Sequence, residues 1–244
     1  ILKKSLGEYF KRVVIASNGA EALQLIRSHT PDIIVSDVMM PRMNGYELCK
    51  SIKEDITISH IPIILLTARD DQQSQLSGYK NGADGYLSKP FEVEMLMELI
   101  RNRLKNREYT KKRYLNAGLI PTPEESTISL TDETFLIKLN SIIQENIENS
   151  NLGIQFICQE VGLGRSSLYN KLKALTGMGA NEYISKLRIE KAITLISGTD
   201  MPFSEIAEKT GFTTPSYFST AFKQYTGETP SQYKERKKKG LADK

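Results

Sequence analysis

Four short apolar runs alternate with segments of helical periodicity in the first hundred residues, and this alternation constrains the fold more than any other feature. The runs are RVVIAS (12–17), DIIVSD (32–37), IPIILLTA (61–68) and DGYLSK (84–89). The segments between and after them predict helices at 18–30, 44–55, near 70–81 and at 92–104. Strands that are apolar throughout are typical of a parallel sheet covered by helices on both faces. The sequence therefore predicts an α/β unit with such a sheet.

Polar residues stand at the carboxyl ends of three of these predicted strands, namely Asp37, Thr67 and Lys89. Ligands of open α/β sheets bind at the carboxyl ends of the strands. A carboxylate there can be a nucleophile, and a hydroxyl and an ammonium group can bind added negative charge. An aspartate at a strand end usually only caps a turn or a helix. Three such residues at successive strand ends, with the turn marked by Pro41 and Gly45, predict a functional site.

The composition excludes several classes of protein. The 244 residues are 39% hydrophobic and 25% charged, which is typical of a globular chain. Apolar runs such as 61–66 are far shorter than the ~20 residues that span a bilayer, and no signal peptide is visible. We expect Cys49 and Cys158 to be reduced, buried and inert, and His29 and His60 lack the spacing of zinc ligands. These features predict a cytoplasmic segment without direct membrane contact.

Charge is distributed unevenly along the chain. Residues 1–100 carry 11 Lys or Arg against 13 Asp or Glu, residues 101–125 carry 7 against 3, and residues 126–244 carry 15 against 13. An acidic first part and a basic second part suggest two separate roles. Residues 107–131 are polar and contain two prolines, which predicts a linker that starts as a helical extension and continues as a flexible tether.

Two stretches in the second half echo one another, FICQEVGLGRSSLYNKLKALTG at 156–177 and EIAEKTGFTTPSYFSTAFKQYTG at 205–227. Each predicts a helix, a short turn that contains glycine, and a second helix, which is the pattern of a helix-turn-helix (HTH) unit. A predicted helix at 181–197 joins them. One helical hairpin alone would be a weak signal, but two copies indicate a DNA-binding domain.

The faces of the two predicted recognition helices separate inward from outward residues. We expect Leu168 and Leu172 in the first helix, and Tyr217, Phe218 and Phe222 in the second, to point into the core. The residues that we expect to contact DNA are Arg165, Ser166, Tyr169, Asn170, Lys171, Lys173, Thr214, Ser216, Ser219, Thr220 and Lys223.

Residue type predicts different roles within this set. Arg165 and Asn170 suit base edges, because arginine pairs with guanine and asparagine with adenine, whereas Lys171 and Lys173 suit phosphates. The second recognition helix has few charged side chains that could contact bases. We therefore expect it to make backbone and methyl contacts and to add little sequence specificity. Any one of these residues could equally belong to a solvated helix face. The run KERKKK at 234–239 could add salt-dependent affinity, but a disordered tail is the simpler expectation.

The first hundred residues resemble the receiver domain of two-component response regulators in the stretches DVMMPRMNG, ILLTA and GADGYLSKPF. The resemblance implies a flavodoxin-like fold in which Asp37 accepts a phosphoryl group from a histidine kinase. It also implies that Thr67 and Lys89 bind the phosphoryl oxygens, that Tyr86 swings inward as Thr67 moves, and that the peptide bond before Pro90 is cis.

One departure from this family concerns Mg²⁺, which receivers bind beside the phosphorylation site. Receivers begin with a strand that ends in an acidic pair, whereas this sequence begins ILKKSLGEYF, which is similar to the end of the family's first helix. Mg²⁺ prefers six oxygen ligands, and of the implied site only Asp37 and a carbonyl near Met39 remain. We therefore expect a receiver that lacks its first strand, a chain that is a fragment, poor Mg²⁺ binding and inefficient phosphorylation.

Residues from roughly 150 to 235 resemble the AraC/XylS-type DNA-binding domain through LRIEKAITLI, IAEKTGF, YFSTAFKQYTG and TPSQY. In that family each recognition helix enters a major groove, and the linking helix holds the two apart. The resemblances imply four segments: a receiver at 1–106, a linker at 107–131, a DNA-binding domain at 132–237 and a basic tail at 238–244. The stretch LYNKLKALTGMGANEYI is also similar to the C-terminal part of hybrid two-component sensors of Bacteroidetes, which are inner-membrane proteins.

The leading interpretation is a sequence-specific transcription regulator that binds double-stranded DNA as a homodimer under the control of phosphorylation at Asp37. An alternative is a pseudo-receiver that is never phosphorylated and serves as a dimerisation or interaction module. An enzyme that uses Asp37 as a phosphatase-like nucleophile is disfavoured, because position 39 is Met rather than a second carboxylate, and the chain has no kinase motifs.

Overall fold

The structure is a computed structural model that describes residues 6–68, 82–116 and 129–242. Within these ranges the chain forms three strands and ten helices. It divides into two compact units, which comprise Ile1–Thr134 with Ala174–Thr176, and Phe135–Lys173 with Gly177–Lys244. A parallel sheet with helices followed by helical HTH elements confirms the predicted fold class. The predicted helix near 70–81 lies outside the described residues.

The first part of the chain builds a small α/β layer structure. Its elements are α1 (Gly19–His29), β1 (Ile34–Asp37), α2 (Gly45–Glu54), β2 (Ile63–Ala68), β3 (Gly85–Lys89) and α3 (Val93–Asn116). The strands pair in the order β1-β2-β3, and both pairs are parallel. In this register Asp37 lies opposite Leu66, and Ala68 lies opposite Lys89. The three strands therefore end at the same edge of the sheet.

The predicted strand at 12–17 is not formed, which corrects the sequence-based expectation. Residues 12–16 have no regular secondary structure, and Val14 and Ile15 are 46% and 52% exposed. A strand of a parallel sheet needs a neighbour to complete its hydrogen bonds. None of the described strands lies beside this segment, so an apolar pattern suited to a strand has no partner to pair with.

Both faces of the sheet are covered by apolar side chains. One cluster draws on α1, α2, β1 and β2, and the other on β2, β3 and α3. Along β2, Ile63 and Leu65 belong to the first cluster, whereas Ile64 and Leu66 belong to the second. Because successive side chains of a strand point to opposite faces, β2 is buried on both sides. This burial explains why its sequence is apolar throughout.

The two cysteines differ in their surroundings. Cys49 on α2 is fully buried, and burial raises the pKa of its thiol to about 11. Cys158 is only half-buried, because its helix presents the neighbouring Gln155 and Gln159 to solvent. The prediction of two buried cysteines is therefore correct for Cys49 alone.

The turn after β1 is fixed by a close approach of main chain to main chain at Gly45. A Cβ at this position would lie 2.4 Å from the main-chain oxygen of Asp37 and 2.9 Å from the Cα of Val38. The Gly45 N–H donates to the main-chain oxygen of Val38 over 2.9 Å. Asn44 then caps α2 in a capping box with Glu47. These contacts hold the residues that follow Asp37 against the end of the strand.

We predict that Gly45→Ala destabilises the α/β layers by ~1–3 kcal/mol, because the added methyl group would overpack against main-chain atoms. Urea unfolding followed by far-UV circular dichroism measures the change. Gly7→Ala is the matched control, because a Cβ at Gly7 would meet nothing within 4 Å. Equal unfolding midpoints for the two variants would contradict the prediction.

Seven helices make up the rest of the described chain. They are α4 (Leu130–Glu145), α5 (Ile154–Val161), α6 (Arg165–Thr176), α7 (Ala180–Gly198), α8 (Phe203–Lys209), α9 (Pro215–Thr226) and α10 (Pro230–Ala242). Helices α5 and α6 form the first HTH, helices α8 and α9 form the second, and α7 links them in sequence. Among the described helices, none has the length and apolar content needed to cross a bilayer.

The expected basic tail at 238–244 is helical as far as it is described, because α10 continues to Ala242. Lys239 pairs with Glu235 one turn earlier, at 2.8 Å, and such pairs support exposed helices. The expectation of a disordered tail for the run at 234–239 is therefore wrong, because the whole run lies within α10.

The turns of the two HTH units share one backbone conformation. Gly162 has a φ of 73° and Gly211 a φ of 71°, in the left-handed region that glycine enters without a steric penalty. In each unit the next residue donates its N–H to the main-chain oxygen of a small residue on the preceding helix, Cys158 at 3.0 Å and Ala207 at 2.9 Å. The repeat in the sequence is thus a repeat in backbone geometry.

Candidate functional site

The ends of β1, β2 and β3 bring Asp37, Thr67 and Lys89 to one edge of the sheet. The Lys89 ammonium group donates to one carboxylate oxygen of Asp37 in a close ion pair. The other carboxylate oxygen accepts from the Met39 N–H over 3.2 Å. The side chains of Lys89 and Asp37 are 43% and 37% exposed. The carboxylate is therefore oriented on both sides and still reachable from solvent.

Thr67 stands beside this ion pair with its hydroxyl group buried. The residue is 0% exposed, and Oγ1 has no hydrogen-bond partner among the described residues. Leaving a buried polar group unsatisfied costs ~1–3 kcal/mol, so native proteins rarely do so without a reason in function.

Tyr86 and Pro90 occupy β3 and the residues after it. Tyr86 is half-buried and packs against the apolar cluster formed by α1, α2, β1 and β2. The peptide bond between Lys89 and Pro90 is cis, as the family resemblance implies.

The described residues do not by themselves complete a magnesium site. They supply one carboxylate, from Asp37, and one main-chain carbonyl, from Met39, whose side chain is 81% exposed. Both carboxylate oxygens already accept hydrogen bonds. No group of three His, Cys, Asp or Glu side chains that could hold a metal occurs in the described part of the chain. Since Mg²⁺ demands near-octahedral oxygen ligation, this donor set falls short of the implied site.

In the first HTH, α6 has one exposed polar face and one buried apolar face. The exposed residues are Arg165, Ser166, Tyr169, Asn170 and Lys173. Leu168 and Leu172, which are 0% and 1% exposed, form the buried face. The first turn of α6 is therefore open, and in HTH proteins this part of the recognition helix contacts base edges.

Lys171 does not reach the surface, which corrects the prediction that it binds phosphate. Its side chain is 0% exposed, and its ammonium nitrogen lies 5.1 Å from the centroid of the Phe135 ring on α4. The ring quadrupole attracts a cation in this position. The sequence contained the signal, because residues three apart share a helix face, which places Lys171 with the buried Leu168.

In the second HTH, α9 presents hydroxyl groups instead of charges. Thr214, Ser216, Thr220 and Lys223 are exposed and Ser219 is half-buried. The Thr214 hydroxyl caps the helix by accepting from the Tyr217 N–H over 3.1 Å. The hydroxyls of Ser219 and Thr220 donate to main-chain oxygens one turn earlier, over 2.9 and 3.1 Å. Because the protons of Ser219 and Thr220 bond within the helix, the oxygens of these two hydroxyl groups remain available as acceptors.

Tyr217 was predicted to lie in the core, but it is 53% exposed. Its ring packs edge-on against Phe212, with 5.7 Å between centroids. The interior is filled instead by Phe212, Phe218 and Phe222, which are 5%, 0% and 0% exposed. Because Phe218 and Phe222 are one turn apart and define the buried stripe, Tyr217 falls at its edge. Tyr217 therefore joins the outward face of α9, which the sequence pattern missed.

Comparison with known proteins finds two families in the chain. Residues 1–101 match the family described as the response regulator receiver domain, and residues 157–236 match a helix-turn-helix domain family.

Two curated relatives are similar to most of the chain. Histidine kinase P4 of Formosa agariphila is 42% identical over 233 residues, which cover 96% of this chain and 17% of that protein. The probable transcriptional regulator ycf29 of Pyropia yezoensis is 30% identical over 197 residues, 75% of this chain and 89% of that protein. The chain thus spans under a fifth of the length of the kinase and most of the length of the regulator.

Among solved structures, the C-terminal domain of AraT, a response regulator from Geobacillus stearothermophilus, is similar to part of the chain. The TM-score is 0.40 and the identity 31%, over 42% of this chain and 84% of that chain.

We predict that Lys173→Met removes a phosphate contact and changes the salt dependence of DNA binding, whereas Lys171→Met removes a buried cation and does not change it. Loss of one phosphate contact from Lys173 should weaken duplex binding and reduce the slope of log affinity against log salt by ~0.9. Lys171→Met should leave that slope unchanged, since the side chain is buried. Fluorescence anisotropy of a labelled duplex at several salt concentrations measures both. Equal changes of slope in the two variants would contradict the assignment of faces.

Proposed function

We propose that phosphorylation of Asp37 governs the binding of this chain to DNA. The premise is that the chain belongs to the two-component response regulators, with a receiver followed by an AraC-type HTH domain. A receiver joined to such a domain is typical of a transcription factor rather than an enzyme.

The observation that carries the proposal is the ion pair of Asp37 and Lys89 next to the buried hydroxyl of Thr67. In the proposed step an oxygen of Asp37 forms a bond to the phosphorus of a phosphohistidine on the kinase, and the phosphorus–nitrogen bond breaks. The acyl phosphate brings a charge of roughly −1.5 to −2 to this edge of the sheet. Lys89, already paired with Asp37, then binds a phosphoryl oxygen in a stronger charge-assisted hydrogen bond.

Thr67 and Tyr86 would convert this chemical change into a change of shape. The Thr67 hydroxyl, which has no partner among the described residues, donates to a second phosphoryl oxygen and draws its strand end toward Asp37. Tyr86, half-buried on the neighbouring strand, then moves further into the apolar cluster. A local charge that biases two arrangements of a packed surface is a common design of molecular switches.

The exposed faces of α6 and α9 support the DNA-binding half of the proposal. Each helix enters a major groove, and the two grooves lie one helical turn apart, roughly 34 Å along B-form DNA. Arg165 and Asn170 on α6 suit base edges, and Lys173 and Lys223 suit phosphates. Ser166, Tyr169 and the hydroxyls of α9 complete the surface.

The partners and location of the chain are part of the same proposal. A receiver implies a histidine kinase as phosphoryl donor, and we propose a homodimer on DNA in the cytoplasm. The 42% identity to a histidine kinase, over 96% of this chain, supports a position inside a longer hybrid sensor.

A second candidate function is a pseudo-receiver that acts as a dimerisation or interaction module. Taken by themselves, the described residues favour it, because they offer Mg²⁺ only the Asp37 carboxylate and the Met39 carbonyl, and phosphoryl transfer to a receiver generally uses Mg²⁺.

We predict that Asp37→Ala abolishes phosphorylation by acetyl phosphate with Mg²⁺, and with it any change in DNA affinity. Part of the wild-type protein should gain the mass of one phosphoryl group, in keeping with its incomplete magnesium donor set, and this labelled fraction should change its affinity 5- to 150-fold, the usual range of coupling between two sites, roughly 1–3 kcal/mol. Intact mass spectrometry and anisotropy of a labelled duplex measure the two effects. Asp32→Ala is the control, because Asp32 is exposed just before the other end of β1.

The outcomes separate the two candidates. Labelling of the Asp37→Ala protein to the wild-type level would refute Asp37 as the acceptor. Duplex binding without any labelling of the wild-type protein would favour the pseudo-receiver.

A further inference from the structure

Arg188 on α7 is a buried cation that contacts the second HTH and the turn that leads into the first. Its Nη2 donates to the main-chain oxygen of Asn149 over 2.7 Å, and Asn149 lies in the turn between α4 and α5 that leads into the first HTH. Its Cζ lies 6.0 Å from the centroid of the Phe212 ring, and Phe212 follows the turn of the second HTH. A single side chain thus connects a main-chain atom of the turn before the first HTH to an aromatic ring of the second.

The turn of the second HTH also approaches the main chain that precedes the first HTH. Gly211, in the left-handed conformation, sits so close to the turn after α4 that a Cβ would lie 2.2 Å from the main-chain oxygen of Ile147. The same Cβ would lie 2.9 Å from Nη2 of Arg188. The turn of the second HTH is therefore seated directly on the main chain that precedes the first, with Arg188 across the junction.

The surroundings of Arg188 indicate orientation rather than stability as its role. The residue is 9% exposed, its Nε has no hydrogen-bond partner among the described residues, and burial lowers the pKa of its guanidinium group. A buried charge is often no better for stability than an apolar side chain of similar volume. What arginine adds is a planar group that donates in a fixed direction and stacks on a ring.

A neighbouring contact across the same junction provides a contrast. Lys191, also on α7, pairs with Glu148 at 3.2 Å, but the two side chains are 29% and 63% exposed. Ion pairs that are open to solvent contribute little to a fixed geometry, because water and salt compete for both charges. Arg188 is buried and directional, and Lys191 is not.

We propose that Arg188 is a positioning residue that fixes the separation of α6 and α9 and thereby sets the spacing between DNA half-sites that the protein accepts. The inference rests on the proposed DNA-binding function and deepens it. Two readers that are rigidly joined can occupy successive major grooves only when their half-sites lie about 10–10.5 base pairs apart. A loosened junction lets α9 settle at other distances while the chemistry of both reading faces is unchanged.

The test is in vitro selection from a random duplex library, with the 244-residue chain as wild type and as Arg188→Met, Arg188→Lys and Lys191→Met. Wild-type and Lys191→Met proteins should enrich two motifs at a single separation. Arg188→Met should enrich the same two motifs at separations spread over several base pairs. Arg188→Lys should be intermediate, because lysine can donate to Asn149 but has no planar group to place over Phe212.

Thermal unfolding of each variant accompanies the selection. Motif spacing as sharp in Arg188→Met as in the wild type would overturn the inference. If Arg188→Met does not fold, the Arg188→Lys variant decides the question. A single motif spacing in an Arg188→Lys protein with the wild-type melting temperature would overturn the inference, and a broadened spacing would support it. Failure of the wild-type protein to enrich any duplex would overturn the proposed DNA-binding function, and with it this inference.

Discussion

The parallel register of β1, β2 and β3 is the constraint on which the chemistry of this chain depends. Asp37, Thr67 and Lys89 are far apart in sequence and have no local reason to meet. They meet because parallel strands end at one edge, and close main-chain contacts at Gly45 hold the turn after Asp37 against the end of its strand. Apolar packing holds the three strands in place, and the polar side chains lie at their carboxyl ends.

Packing of helices plays the corresponding role in the DNA-binding part. A row of aromatic rings, Phe212, Phe218, Phe222 and Tyr233, runs through the second HTH to α10 with centroids 5.4 to 5.7 Å apart. The C-terminal half of α7 packs on the same cluster through Ile189, Ala192 and Ile196. The buried side of α9 is thus fixed, so its polar side is presented in one orientation.

The fold class and the two HTH units could be predicted from the sequence because their signals are periodic and local. Strand pairing is not local, and for that reason the apolar run at 12–17 was taken for a strand although no described strand pairs with it. Lys171 and Tyr217 were misplaced because residue type was given more weight than position on the helix. The junction at Arg188 was not predictable at all, since it joins residues from three separate elements and no motif encodes it.

The hydroxyl groups of α9 have a consequence for the geometry of recognition as a whole. The hydroxyl protons of Ser219 and Thr220 are held by the helix backbone, so α9 exposes hydroxyl acceptors beside the single cation of Lys223, whereas α6 exposes the two cations Arg165 and Lys173. Because the two recognition helices differ in chemistry, the DNA-binding surface has a direction along the axis of the duplex. A binding sequence turned end for end is then a different ligand, which gives the bound chain an upstream and a downstream side.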